Sequence, residues 1–293
     1  MAFCNSANIP QAPGSMPTHF PDEFLPGMRA PAPCWRRGRD GLRRPRTVYA
    51  VGDVHGCPHM LGRLLGMVLA DAARLGVERP RLGFVGDFVD RGPDSRGALD
   101  ILCSPWISGR FDWFAVRGNH EQWMLDALSG AVDPLPWLRN GGAETVESYG
   151  VRLGGSGADR AISRFAAALP DRHRAFLDSL PLAVAEGELL FVHAGVDPLL
   201  PLDRQKPESL LWIRTPFLEH AGSFGARIVH GHSPSRGMAV EALPNRIGVD
   251  TGCGFPGGRL SAAAIAPSGR VQTLTAGPSA GGIDLQQGLR SVA

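Results

Sequence analysis

Six polar residues, Asp53, His55, Asp87, Asn119, His193 and His232, each follow closely on a short apolar run. Together they offer two carboxylates, one amide oxygen and three imidazoles. Such a mixed set suits Mn²⁺, Fe or Zn²⁺ and argues against Ca²⁺, which takes oxygen alone. A single ion holding all six would have no open position for chemistry. Two ions sharing Asp87 as a bridge would leave room for a water between them. Two divalent ions about 3.5–4 Å apart lower the pKa of such a water. The same residues buried without a partner would be costly, although His193 and His232 taken by themselves also read as hydrogen-bonded core histidines.

The elements that must position these residues repeat a simple unit. TVYAV (47–51), RLGFV (81–85) and WFAV (113–116) are β-rich runs, and each is followed by a polar turn and then a helix. The helices are expected at 59–75, 96–102 and 122–128. Short buried strands alternating with helices indicate βαβ units and a largely parallel sheet. Asp53, Asp87 and Asn119 lie 34 and 32 residues apart, the length of one such unit, so they should converge at the carboxyl edge of the sheet. A mainly helical stretch is expected over 141–180. Strand-like runs then return at 188–192, 226–229, 246–250 and 260–266, without long helices between them. They are expected to form a second, mixed or antiparallel sheet packed face to face with the first, with helices outside.

In chain order the motifs GDVHG, GDFVDRG, RGNHE, VHAG and HGHSP resemble the calcineurin-like metallophosphoesterase superfamily. Within it they look most like the bacterial-type phosphoprotein phosphatases acting on phosphoserine and phosphothreonine. Asp90–Arg91 and Glu121 follow that form of the motifs, and the resemblance covers about residues 47–275. It implies an α/β (mixed α+β) four-layer sandwich, two packed mixed sheets flanked by helices. It implies a dinuclear centre with Asp53, His55 and Asp87 on one ion and Asp87, Asn119, His193 and His232 on the other. Mn²⁺ is the first choice of metal, with Fe or Zn²⁺ also fitting. His120, paired with Asp90, would be the acid that protonates the leaving oxygen, and Arg91 and Arg117 would clamp the phosphate. Arg214, in LLWIR, resembles a further phosphate-binding arginine on a shorter string.

The reaction so implied is hydrolysis of phosphoserine or phosphothreonine monoesters by in-line attack of a bridging hydroxide. The partner would be a phosphoprotein, or else a phosphorylated small molecule or nucleotide. Related hydrolases carry very similar motifs, so symmetrical diadenosine tetraphosphate is the alternative substrate; an inactive metal-binding scaffold is a minor one. Arginine suits the clamp because its planar fork matches phosphate and stays charged. A carboxylate beside an imidazole orients it and raises its pKa, which would keep His120 protonated. No nucleophilic serine or cysteine is required, and no GxxxxGK[ST] loop is present, which disfavours nucleotide-driven phosphoryl transfer. His230 is expected to be structural, and His59, His173 and His220 to face solvent. Cys57 reads as a packing residue or as a redox-sensitive thiol near the metals. WLRNGG (137–142) reads either as a wall of the substrate cleft or as a helix-start packing motif.

The remaining composition excludes other classes. A 43% hydrophobic, 20% charged chain of 293 residues with net charge +2 is an ordinary globular protein, too balanced to favour nucleic acid or a membrane surface. Five widely spaced cysteines, an odd number with no CxxC pair, argue against a disulfide framework or zinc ribbon and for a reducing compartment. No run is long enough to span a membrane, and the N-terminus lacks a secretory pattern, so a cytoplasmic location is expected. Residues 1–46 hold eight prolines and end in Arg36, Arg37, Arg39, Arg43, Arg44 and Arg46, so they read as a loose extension. The catalytic domain is expected at 47–276 and a loose tail at 277–293.

Overall fold

The computed structural model describes residues 46–154 and 157–277, together with the backbone of 35–37. The strands are β1 (Trp35–Arg37), β2 (Val48–Val51), β3 (Arg81–Phe84), β4 (Asp112–Ala115), β5 (Ala183–Glu186), β6 (Leu189–Val192), β7 (Arg227–His230), β8 (Glu241–Ala242), β9 (Arg246–Gly248), β10 (Leu260–Ile265) and β11 (Val271–Ala276). The α-helices are α1 (Pro58–Arg74), α2 (Ser95–Leu102), α3 (Pro105–Arg110), α4 (Asn119–Ser129), α5 (Pro134–Trp137), α6 (Ala143–Ser148), α7 (Ala158–Ala168), α8 (Asp171–Ser179) and α9 (Pro207–Trp212). One wide turn, Leu138–Gly142, joins α5 to α6.

The first three units form as their periodicity predicts. In β2 the side chains alternate between two apolar environments, as a period of two requires. Val48 and Ala50 face Val184, Phe191, Val229 and Ile247 of the other sheet, whereas Tyr49 and Val51 pack with the helices. Helix α1 buries Leu61, Leu64, Leu65, Val68 and Ala72, one stripe at helical spacing, and Pro58 opens it where no N–H is needed. Asp94 caps α2 by accepting a hydrogen bond from the Gly97 N–H at 2.7 Å.

Two sheets stack, one in the order β11-β10-β2-β3-β4 and one in the order β1-β5-β6-β7-β9-β8. Strands β2, β3 and β4 run parallel, so their carboxyl ends share an edge. The outer face of the second sheet buries Leu190, Val192 and Ile228 against Leu210 and Leu211 of α9, which completes four layers. The expectation that 260–266 belongs to the second sheet is corrected: β10 pairs antiparallel with β2 in the first. Without it the N–H and C=O groups on the free edge of β2 would be buried unpaired, and six small or apolar residues, all buried, fit that slot. Of the proline- and arginine-rich extension, Trp35–Arg37 pairs parallel with β5. The expectations for the rest of 1–45 and for 278–293 lie outside the described residues.

Candidate metal centre

The loops that leave β2, β3 and β4 are tied together before any side-chain chemistry begins. The N–H groups of Val54 and His55 both donate to the Asp87 carbonyl, at 2.9 and 2.8 Å. Glu121 sits behind these loops, fully buried. Its carboxylate accepts hydrogen bonds from the N–H groups of Asp87, Phe88, Val89 and Gly118, between 2.7 and 3.2 Å. Gly118 is required for space: a Cβ there would lie 2.1 Å from Asp87 Oδ1. The second sheet joins through His232, whose N–H donates to Asp53 Oδ2 at 3.0 Å.

All six expected metal ligands meet at this edge and are buried. Asp87 Oδ2 lies 3.5 Å from His55 Nε2, and Asp87 Oδ1 lies 3.5 Å from His193 Nε2. One carboxylate therefore faces an imidazole on each side. Asn119 Oδ1 lies 2.7 Å from His193 Nε2 and 3.1 Å from His232 Nδ1. His55 Nδ1 donates to the Val89 carbonyl and His193 Nδ1 to the Val85 carbonyl, each at 2.9 Å. Those bonds fix the tautomers and leave each Nε2 with its lone pair turned to the cluster. Asp53 Oδ1 and His232 Nε2 are buried without a hydrogen-bond partner among the described residues. The ligand-type atoms of His55, Asp87 and His120 form one group within 4.8 Å, and those of Asp87, His193 and His232 form another.

The electrostatics fit cations. Burial raises Asp53 well above the usual carboxylate range, with Asp250 and Asp87 adding repulsion, and it pushes Asp87 up to about 7. Burial lowers His55 and His232 well below the usual imidazole value and His193 to about 4. Crowded acids with neutral imidazoles form a donor set that divalent ions neutralise. The backbone is also strained here. Six non-glycine residues among those described have positive φ, and five of them are His55, Asp87, Asp90, Arg91 and His232. Such conformations persist only where the surroundings impose them.

The pair expected to supply the acid is present, with His120 Nδ1 at 2.7 Å from Asp90 Oδ2. The expectation that Asp90 holds the His120 pKa up is corrected: burial, with Arg91 and His193, pushes His120 well below its usual value. Burial also pushes Asp90 up to about 7. The bond therefore orients the ring more than it charges it. Arg91 reaches the cluster: its guanidinium contacts His55 Nε2 and lies 4.7 Å over the Phe255 ring. Arg214 interacts electrostatically with Asp250, Asp53 and Asp87. Arg117 is held by other partners. Its guanidinium donates to Gln122 Oε1 at 2.7 Å and to the Leu177 and Asp178 carbonyls at 3.1 and 3.0 Å, so it braces the end of α8 against α4 rather than turning to a phosphate.

Other expectations resolve as follows. His230 is buried, bonded through Nδ1 to the Gly231 carbonyl and edge-on to Phe217. His59 is exposed and His220 half-buried. His173, expected in solvent, is instead buried, with Nδ1 bonded to the Tyr149 hydroxyl at 2.8 Å and Nε2 to Asp100 at 3.1 Å. Cys57 is buried, its thiol donating to the His55 carbonyl at 3.2 Å. Two features escaped the sequence reading. Asp250 is buried beside Asp53, and its signal was available, since it ends the run RIGVD as Asp53 and Asp87 end theirs. Of the two readings of WLRNGG, Trp137 fits the packing motif and not the cleft wall, having no exposed surface; what the sequence did not show is that its indole N–H donates to Asp90 Oδ2 at 2.8 Å.

Comparison with known proteins agrees with this geometry. The family model described as calcineurin-like phosphoesterase matches residues 46–277. The chain is 44% identical over 97 residues to serine/threonine-protein phosphatase 1 of Salmonella typhimurium, covering 33% of this chain and 39% of that protein. It is 35% identical over 150 residues to a symmetrical bis(5'-nucleosyl)-tetraphosphatase of Ralstonia nicotianae, covering 51% of this chain and 42% of that protein. The matched stretches thus span about two fifths of these curated relatives. A crystal structure provisionally described as a diadenosine tetraphosphatase superposes with a TM-score of 0.55 at 25% identity, covering 81% of this chain and 96% of that one.

Proposed function

The chain belongs to the calcineurin-like phosphoesterase family, and from that premise we propose that it is a protein phosphatase hydrolysing phosphoserine and phosphothreonine monoesters, with residues 47–276 as its catalytic domain. The coarser statement, a metal-dependent phosphoric ester hydrolase, rests on the family together with the clustered ligand-type side chains. The observation that best supports the reading is the Asp87 carboxylate set between His55 and His193, with one oxygen 3.5 Å from each Nε2.

The residues fit two divalent ions, Mn²⁺ first. Asp53, His55 and Asp87 would hold one, and Asp87, Asn119, His193 and His232 the other. When bound, such ions activate water and polarise phosphoryl oxygens as Lewis acids. The side chains supply the rest. Arg91 and Arg214 hold and orient the phosphate oxygens with donors that stay charged. His120, held through its Nδ1–H by Asp90, is drawn to its imidazolium form by the negative charge of the bound phosphate and gives the Nε2 proton to the leaving oxygen as the P–O bond breaks. A cytoplasmic location is part of the same proposal, supported by three free cysteines among the described residues. No helix among the described residues is long and apolar enough to cross a membrane.

A second reading keeps the site and changes the substrate to a symmetrical dinucleoside tetraphosphate. It is supported by the Ralstonia nicotianae relative and by the superposed structure. The test is the ratio of kcat/KM on a phosphothreonine peptide to that on diadenosine tetraphosphate, with Mn²⁺ supplied. A ratio well above one is expected. A ratio well below one, with adenosine diphosphate as the only product, would transfer the function to the second reading.

A further inference from the structure

The segment from Trp137 to Thr145, which joins α5 to α6, lies against the back of Asp90 and Arg91. Both residues have positive φ, 73° and 67°, and for arginine this is an outlying conformation that needs support. The segment provides it. The Asp90 N–H donates to Thr145 Oγ1 at 2.9 Å and to Ser95 Oγ at 3.0 Å. The Arg91 N–H donates to the Gly141 carbonyl at 3.1 Å. Gly141 has φ of 108°, and a Cβ on it would lie 2.5 Å from the Arg91 nitrogen, so only glycine allows this approach.

The carboxylate of Asp90 is held from the same segment. Thr145 Oγ1 donates to Oδ1 at 2.7 Å, and the Trp137 indole donates to Oδ2 at 2.8 Å. The indole is a donor only, and with both oxygens receiving a hydrogen the carboxylate is arranged as an acceptor. The third partner, His120 Nδ1 at 2.7 Å from Oδ2, must then carry a hydrogen on Nδ1 in the neutral ring and the imidazolium alike, which leaves Nε2 as the atom that faces the site and gives up the transferred proton. Trp137 is itself locked by stacking on Phe165, with ring centroids 6.0 Å apart, and by Gly142, where a Cβ would lie 2.5 Å from the indole.

We infer that Trp137 and Thr145 are positioning residues for leaving-group protonation: they fix the Asp90 carboxylate, and through it the ring orientation and tautomer of His120. The inference rests on the reading of His120 as the acid. General acids matter most where the leaving oxygen is a poor leaving group, which gives a readout that simple loss of structure would not move.

The experiment compares phenyl phosphate with 2,4-dinitrophenyl phosphate, using full-length Mn²⁺-loaded protein. The variants are Trp137→Phe, which keeps an aromatic ring against Phe165, and Thr145→Val, which keeps the shape of the side chain. In both, kcat on phenyl phosphate is expected to fall about 10-fold or more, while kcat on the dinitrophenyl ester stays within about threefold, part of the ~10²–10⁴-fold that a positioned acid contributes. KM and metal content should be unchanged, and Thr145→Ser, which keeps the hydroxyl, should restore turnover of phenyl phosphate. An equal loss on both esters, or no loss on either, overturns the inference and leaves the phosphatase reading intact. A wild-type protein that hydrolyses neither ester overturns both. Nitrogen NMR of the Zn²⁺-loaded chain gives an independent arm: wild-type His120 must carry a hydrogen on Nδ1 whether or not Nε2 is also protonated, and a neutral ring with its hydrogen on Nε2 alone would overturn the inference whatever the activity.

Discussion

Asp87 concentrates the chemistry of this protein in one side chain. It has positive φ, its carbonyl ties the first loop, and its two carboxylate oxygens face different histidines. Asp87→Asn keeps the shape but replaces one acceptor oxygen by a donor and removes the charge that two ions would share. Turnover of an aryl phosphate is expected to fall on the order of 10³-fold, since it loses Lewis-acid chemistry rather than one contact. Elemental analysis should show fewer than two metal ions per chain, and a variant that retains two ions and full turnover would refute the bridging role. At this scale the sequence was largely legible, because ligand type and place in a motif are local. It failed for Arg117, whose neighbours in sequence suggest the phosphate while its guanidinium is held by Gln122 and the carbonyls of α8, some 60 residues on.

Elements explain the histidine that was misplaced. His173 sits on α8 between Asp100 of α2 and Tyr149, the residue that caps α6, so three segments meet on one imidazole. Burial, the largest influence, lowers its pKa below 6.5 even with Asp100 opposing. A base whose folded pKa is depressed binds fewer protons when native than when unfolded. Its contribution therefore strengthens as pH rises towards 6.5 and weakens as pH falls below it. His173→Gln is expected to make the urea midpoint less sensitive between about pH 5 and 7 than in the wild type. An unchanged pH dependence would show that His173 titrates alike in both states. In sequence the residue lies in a polar, charged stretch, RHRAFLDSL, and only the packing of α2 and α6 over it removes it from water.

For the whole molecule, the expected consequence is linkage between metal and fold. Anything bound only by the native state adds stability that grows with its concentration over Kd. Five loops from two sheets hold the ligand set, so removing metal with a chelator should lower Tm by several degrees, as RT ln(1 + [L]/Kd) predicts for tight binding. Returning Mn²⁺ should restore it, and a Tm indifferent to both would argue against a site shared between the sheets. The chain by itself determined the βαβ units and the residues that end their strands, because periodicity and turn chemistry depend on near neighbours. It did not determine which sheet takes the alanine-rich β10, that Asp250 joins Asp53, that Arg117 turns away, or that Trp137 stands behind Asp90. Those are decided by contacts between distant segments, such as His232 with Asp53 across 179 positions, where the need to fill space and pair every buried polar group admits few arrangements.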